Sequence, residues 1–255
     1  MPAFPFPIWV WPVLAAPFVG SFLGVVIRRL PAGRPLILAR SACESCDGAI
    51  APWDLLPLVS WIALRGRCRD CGAAISVFHP AVEIAAVLIA ASAVLTAEGG
   101  APLWAGCVLG WTLLALAWID WEWLRLPDAL TLPLIVAGLV ATCFLDWGSI
   151  ADHAGAAALG YVALRLLNAL YRWRRGREGL GAGDAKLLAA GGAWLGLMPL
   201  PWVLLLAALV GLCIAGARRF SGERLSRTTA LPFGTCLAAG LWLTWLAAGP
   251  DWAGW

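Results

Sequence analysis

Long apolar runs, parted by short polar or basic stretches, make up most of this chain. The hydrocarbon core of a bilayer takes about 20 apolar residues in a helix. Runs that fit lie at roughly 8–27, 80–97, 102–120, 128–146, 151–171, 185–199, 200–217 and 229–247. They lack the two-residue alternation of a β-barrel, so membrane-spanning helices are expected. The sixth run is short, and Met198-Pro199-Leu200-Pro201 parts it from the seventh, which suits a tight turn. Pro127 and Pro232 stand near expected helix starts, where proline is tolerated. No basic region or clear small-residue cleavage site precedes Arg28, so the first run is expected to be a retained span rather than a signal peptide.

Composition supports this reading. The 255 residues are 62% hydrophobic and 13% charged, against about 45–50% and about 25% in soluble domains. Many of the 17 Trp, among them Trp9, Trp11, Trp121, Trp123, Trp147 and Trp202, fall near run ends, as interfacial anchors do. Residues 28–79 are the one sizeable stretch outside the runs. They are too few for a large core and call for a staple. The expected organisation is a first transmembrane helix at 1–27, a small non-membrane domain at 28–79 and a transmembrane domain at 80–255.

Orientation follows from the basic residues. Arg28, Arg29, Arg34, Arg40, Arg65, Arg67 and Arg69 lie between the first two runs, Arg125 between the third and fourth, and Arg172, Arg174, Arg175, Arg177 and Lys186 around the start of the sixth. Arg218, Arg219, Arg224 and Arg227 lie between the last two, and Arg165 can snorkel to the same face. All 18 Lys and Arg then share one side, whereas Glu98, Asp146, Asp152 and Asp251 lie on the other. By the positive-inside rule the basic side is cytoplasmic and both termini are outside. A net charge of +3 says little about partners; membrane lipid is expected and nucleic acid is not.

Of eight Cys, Cys107, Cys143, Cys213 and Cys236 sit singly in apolar runs and read as small buried hydrophobes. The other four form Cys43-Glu-Ser-Cys46 and Cys68-Arg-Asp-Cys71. Paired Cys-x-x-Cys turns place four thiolates around one ion, a structural zinc site with no position left for water. Disulfides are the alternative, and they are rare in the cytosol. The expected fold is therefore an all-α polytopic membrane protein of about eight transmembrane helices, with a small cytoplasmic zinc-ribbon-like insertion between the first two.

The chemistry centres on acids. Gly181-Ala-Gly-Asp184-Ala-Lys186 opens the sixth run, and Asp120 ends the third. Ionisable residues at such places are costly to desolvate and mark functional sites. Gly181 and Gly183 let backbone or substrate approach the carboxylate. The topology brings Asp120 and Asp184 to the same membrane face, where two carboxylates can share a proton and activate water. Either acid alone also reads as a solvated helix cap. Glu83, just inside the second run, is expected to face the bundle and meet substrate or Lys186, or else to pair with an Arg. Asp128 reads as a helix-start acid favoured by the helix dipole.

These segments resemble the bacterial prepilin peptidases (type IV prepilin leader peptidases), a GxGD-type aspartic protease family. The resemblance rests on Gly20-Ser-Phe-Leu-Gly-Val-Val-Ile-Arg-Arg-Leu-Pro31, the four cysteines, Leu56-Pro-Leu-Val-Ser-Trp61, Arg65-Gly-Arg-Cys68 and His79-Pro-Ala-Val-Glu83. It continues through Ile119-Asp120, Leu126-Pro-Asp128, Gly181–Ala190 and Pro232-Phe-Gly234. It implies catalysis by Asp120 and Asp184 and zinc on Cys43, Cys46, Cys68 and Cys71. It further implies cleavage of basic leaders from type IV prepilins and type II secretion pseudopilins at the cytoplasmic face of the inner membrane, after a glycine. N-methylation of the new N-terminus with S-adenosylmethionine is implied as well. The family often has Asn at Gly24, Pro at Glu44 and Tyr at His79; these departures leave the aspartates and cysteines intact.

Two readings from other classes compete: a polytopic transporter with a zinc-stapled cytoplasmic domain and acidic ion sites, and a catalytically dead assembly factor. Two acids at one interface argue against the first, because transporter sites lie near the midplane. The intact aspartate pair argues against the second.

Overall fold

The computed structural model describes residues 7, 9–36, 41–97, 100–176, 179–222 and 231–248. Arg40, Glu98, Arg177, Arg224, Arg227 and Asp251 of the charge argument lie outside the described residues, as does the side chain of Trp147.

Among the described residues the chain is helical and carries no strand. The helices are α1 (Val10–Arg29), α2 (Val59–Ala63), α3 (Phe78–Thr96), α4 (Gly100–Trp123), α5 (Asp128–Leu145), α6 (Ile150–Arg175), α7 (Ala182–Leu195), α8 (Leu200–Phe220) and α9 (Phe233–Ala248). Apart from the five-residue α2, each falls on one of the expected runs. Six of them, α1, α3, α4, α5, α6 and α8, are long and apolar enough to cross a membrane, and α7 and α9 are shorter. Gly176, at φ 69°, ends α6, its N–H reaching Arg172 O at 2.8 Å. After α7, the turn through Pro199 starts α8 almost at once.

The chain divides into two compact units, Met1–Leu95 and Thr96–Trp255. In the first, α1 and α3 cross closely at Gly20, where a Cβ would lie 2.6 Å from Glu83 Cα. In the second, α7 is packed by α5, α6, α8 and α9. Its side chains from Leu187 to Trp194 are buried, and Trp194 Nε1 donates to Leu134 O of α5 at 2.8 Å. A helix enclosed by protein need not match the lipid thickness, because its neighbours supply the apolar surroundings. Small residues permit this packing. A Cβ on Gly192 would lie 2.4 Å from the backbone of Ala156 in α6, and one on Gly240 of α9 would lie 2.5 Å from Val203 O in α8.

Candidate functional site

The second unit brings Asp120 and Asp184 into one neighbourhood. Asp120 lies near the end of α4 and is 5% exposed; Asp184 lies in the first turn of α7 and is 7% exposed. They are close enough for their charges to interact, and Cys236 lies within the field of both. Both residues are buried, unlike a cap that stands in open solvent.

Each is held through Oδ2. Asp120 Oδ2 accepts the Thr235 N–H at 2.7 Å, with Thr235 Oγ1 at 3.2 Å. That hydroxyl also faces Ala117 O at 2.8 Å, and its single proton serves one acceptor at a time. Because Thr235 lies in the first turn of α9, the carboxylate sits at the positive end of a helix dipole. Asp184 Oδ2 accepts the Gly181 N–H at 3.0 Å, closing its own helix start. The two amides before it, Gly179 and Leu180, donate to Oδ1 of buried Asn168 on α6 at 3.0 and 3.1 Å. Three successive N–H groups of the Gly-rich approach are thus fixed.

Leu126, in the α4–α5 connection, joins the two acid-bearing parts. A Cβ at Gly183 would lie 2.6 Å from Leu126 Cβ, and one at Gly234 would lie 2.9 Å from both Leu126 Cδ1 and Asp120 Cγ. The absence of Cβ at Gly183 therefore serves the approach of Leu126, and at Gly181 the approach of Asp184 itself, whose Oδ2 would lie 3.2 Å from a Cβ there. Lys186 Nζ pairs with Asp128 Oδ1 at 2.5 Å, linking the N-terminal part of α7 to the start of α5. Thr235 and Asn168 were not singled out from sequence. The available signal was a polar side chain in a largely apolar run, Thr235 directly after Pro232-Phe-Gly234.

Glu83 faces the interior of the first unit, as expected. It is buried in α3, where Oε2 accepts the Leu58 N–H at 2.7 Å and Ser21 supplies a further bond. Leu58 has φ 60°, a left-handed backbone that costs a non-glycine residue energy, and the carboxylate helps hold it there.

The first unit contains the cysteine cluster. The two turns are built alike. Cys43 N–H donates to Gly48 O at 2.9 Å as Cys68 N–H does to Ala73 O at 2.8 Å, and Asp47 N–H donates to Cys43 O at 2.9 Å as Gly72 N–H does to Cys68 O at 3.0 Å. An antiparallel bridge closes each, Ala42 with Ala49 and Arg67 with Ala74. Asp47 and Gly72 occupy the matching positive-φ position, at 53° and 70°.

The four sulfurs lie within 4.8 Å of one another, and Cys43 Sγ and Cys71 Sγ are 3.9 Å apart. A bonded disulfide would need about 2.05 Å, and all four are free thiols. A tetrahedron with metal–sulfur bonds of about 2.3 Å has sulfurs about 3.8 Å apart, so the cluster fits a single ion. The N–H groups of Ser45 and Cys46 bring the Cys43 thiol down to about 7. At Cys46 the Gly48 N–H pulls the thiol down, but Cys71 and Cys43 outweigh it and push it up to about 12. Such crowding of sulfurs is what a divalent cation relieves. Arg69, beside the second cysteine turn, makes a two-pronged pair with Asp54, at 2.8 and 2.6 Å.

Residues 14–97 match the Bacterial Peptidase A24 N-terminal domain, and residues 107–216 match the Type IV leader peptidase family. A prepilin leader peptidase/N-methyltransferase of Aeromonas hydrophila is 38% identical over 252 residues, covering 89% of this chain and 87% of its own. Its namesake in Burkholderia pseudomallei is 41% identical over 251 residues, covering 87% and 80%. That of Pseudomonas aeruginosa is 38% identical over 261 residues, covering 92% and 88%. No solved structure matches.

Proposed function

The chain belongs to the type IV leader peptidase family, and from that membership we propose that it is a membrane-embedded aspartic endopeptidase with Asp120 and Asp184 as its catalytic pair. The observation that supports the assignment is two buried carboxylates near enough for their charges to interact, each with one oxygen held by a backbone N–H. In the proposed reaction, one ionised aspartate takes a proton from water as its oxygen attacks the scissile carbonyl. The other, protonated, polarises that carbonyl. Collapse of the tetrahedral intermediate expels the amine, which receives a proton from the pair. The proton is shared, so the roles belong to the pair rather than to either residue.

The substrates are type IV prepilins or type II secretion pseudopilins, cut on the cytoplasmic side of the bacterial inner membrane. The one-sided distribution of Lys and Arg supports that face. The relatives' names extend the proposal to N-methylation of the new N-terminus, with S-adenosylmethionine as methyl donor. Cys43, Cys46, Cys68 and Cys71 would hold a zinc ion, whose chemistry there is structural: it cross-links the two turns of a segment too small to be stable by burial alone.

Incubation of the purified protein with a purified prepilin in lipid tests the reading. Mass spectrometry should show one cut that releases the basic leader. An intact prepilin beside a folded, membrane-inserted enzyme would overturn it.

A further inference from the structure

Trp53, Leu55, Leu56, Val59 and Ile62 lie outside the spanning helices, yet all are exposed: Trp53 66%, Val59 63%, Ile62 67%. In a soluble segment such side chains would be gathered into a core. Here the cysteine turns do the stapling, and these residues are left outward. Trp53 and Leu55 belong to a short 3-10 turn, Pro52–Leu55, which packs against α2. Val59 and Ile62 are three residues apart on one face of α2.

A hydrogen bond sets the level of this platform. Leu58, directly before α2, donates to Glu83 of α3 at 2.7 Å. Glu83 is more than one turn into that spanning helix, about 7 Å beyond its start at about 1.5 Å per residue. The start of α2 is therefore held beside the end of a span, at the level where headgroups meet acyl chains. An amphipathic element at that level buries its apolar face about 5–10 Å deep. Charge agrees. Asp54, the acid of the 3-10 turn, is taken by Arg69, while Arg65 and Arg67 directly after α2 are exposed. Two exposed positive charges thus follow the apolar stretch directly in the chain, which suits anionic headgroups.

We propose that the platform from Trp53 to Ile62 is a membrane-docking surface whose occupant is the anionic bilayer leaflet, pinning the cysteine-rich segment to the membrane. The proposal rests on α1 and α3 crossing the bilayer.

Photo-crosslinking of the full-length protein tests it. p-Benzoylphenylalanine replaces Ile62, Leu88 (63% exposed on α3) or Ser45 (exposed in the first cysteine turn), and adducts are identified by mass spectrometry after irradiation in isolated membranes. Lipid adducts are expected from Ile62 and Leu88 and not from Ser45. After reconstitution, the Ile62 yield relative to Leu88 should be higher in vesicles containing phosphatidylglycerol than in phosphatidylcholine alone. Leu88 adducts without Ile62 adducts would overturn the proposal, as would crosslinks from Ile62 to a second copy or another polypeptide. Equal Ile62 yields in both lipids would overturn the anionic preference. Absence of Leu88 adducts would overturn the span on which the proposal rests.

Discussion

The backbone N–H of Thr235 donates to Asp120 Oδ2 at 2.7 Å, from the first turn of α9 to the end of α4. A side-chain substitution leaves that bond in place, so the hydroxyl can be tested separately. Thr235→Val keeps the shape and the N–H and removes Oγ1. A hydrogen bond of this kind is worth about 1 kcal/mol, so kcat for leader cleavage should fall about fivefold. Cleavage kinetics with a prepilin substrate measure it. A total loss would mean that the hydroxyl takes part in the reaction itself.

Gly183 and Leu126 test the spacing of the site. Gly183→Ala puts a methyl where Leu126 Cβ stands 2.6 Å away. Overpacking of this kind costs about 1–3 kcal/mol, and here it falls on the turn carrying Asp184. Cleavage should drop by one or more orders of magnitude while membrane insertion persists. Leu126→Gly in the same protein removes the opposing Cβ and should recover part of the activity. No recovery would place the fault elsewhere in the α7 turn.

Metal content tests the cysteine cluster. The purified protein should carry one zinc ion, bound through Cys43, Cys46, Cys68 and Cys71. Cys46→Ser or Cys71→Ser should release it and make residues 41–77 sensitive to protease. Elemental analysis and limited proteolysis read these outcomes. Wild-type protein without zinc and with the four thiols in disulfides would refute the assignment.

Topology is tested by reporter fusions. A fusion after Trp147 should report the outside and one after Arg175 the cytoplasm, as the positive-inside rule predicts from the distribution of Lys and Arg. A cytoplasmic signal at Trp147 would break the order of spans in the second unit.

What the sequence made legible was what depends on local pattern. The spans could be read because lipid demands long apolar runs, and the knuckles because Cys-x-x-Cys spacing alone brings two sulfurs together. Asp184 stood out for its glycines and its place at the mouth of a run. The partners of the acids were not legible. Thr235 meets Asp120 because α9 packs on α4, and Asn168 meets Gly179 and Leu180 because α6 runs beside the loop before α7. No local signal encodes either contact. Glu83 was recognisable as unusual, but its actual partner, the Leu58 amide, belongs to a loop whose left-handed turn has no glycine to announce it.

The measurement that tests the central claim most directly is prepilin cleavage by Asp120→Asn, Asp184→Asn, the double variant and Asp128→Asn, each verified as membrane-inserted. Asparagine keeps the shape and removes the ionisable group. Each single catalytic variant should lose about 10²-fold or more in rate, and the double variant should be hardly worse, because the pair acts as one unit. Asp128 shares an exposed ion pair with Lys186, worth about 0–1 kcal/mol, so Asp128→Asn should stay within about an order of magnitude of wild type. Near-normal cleavage by Asp120→Asn or Asp184→Asn would contradict the aspartic-protease account.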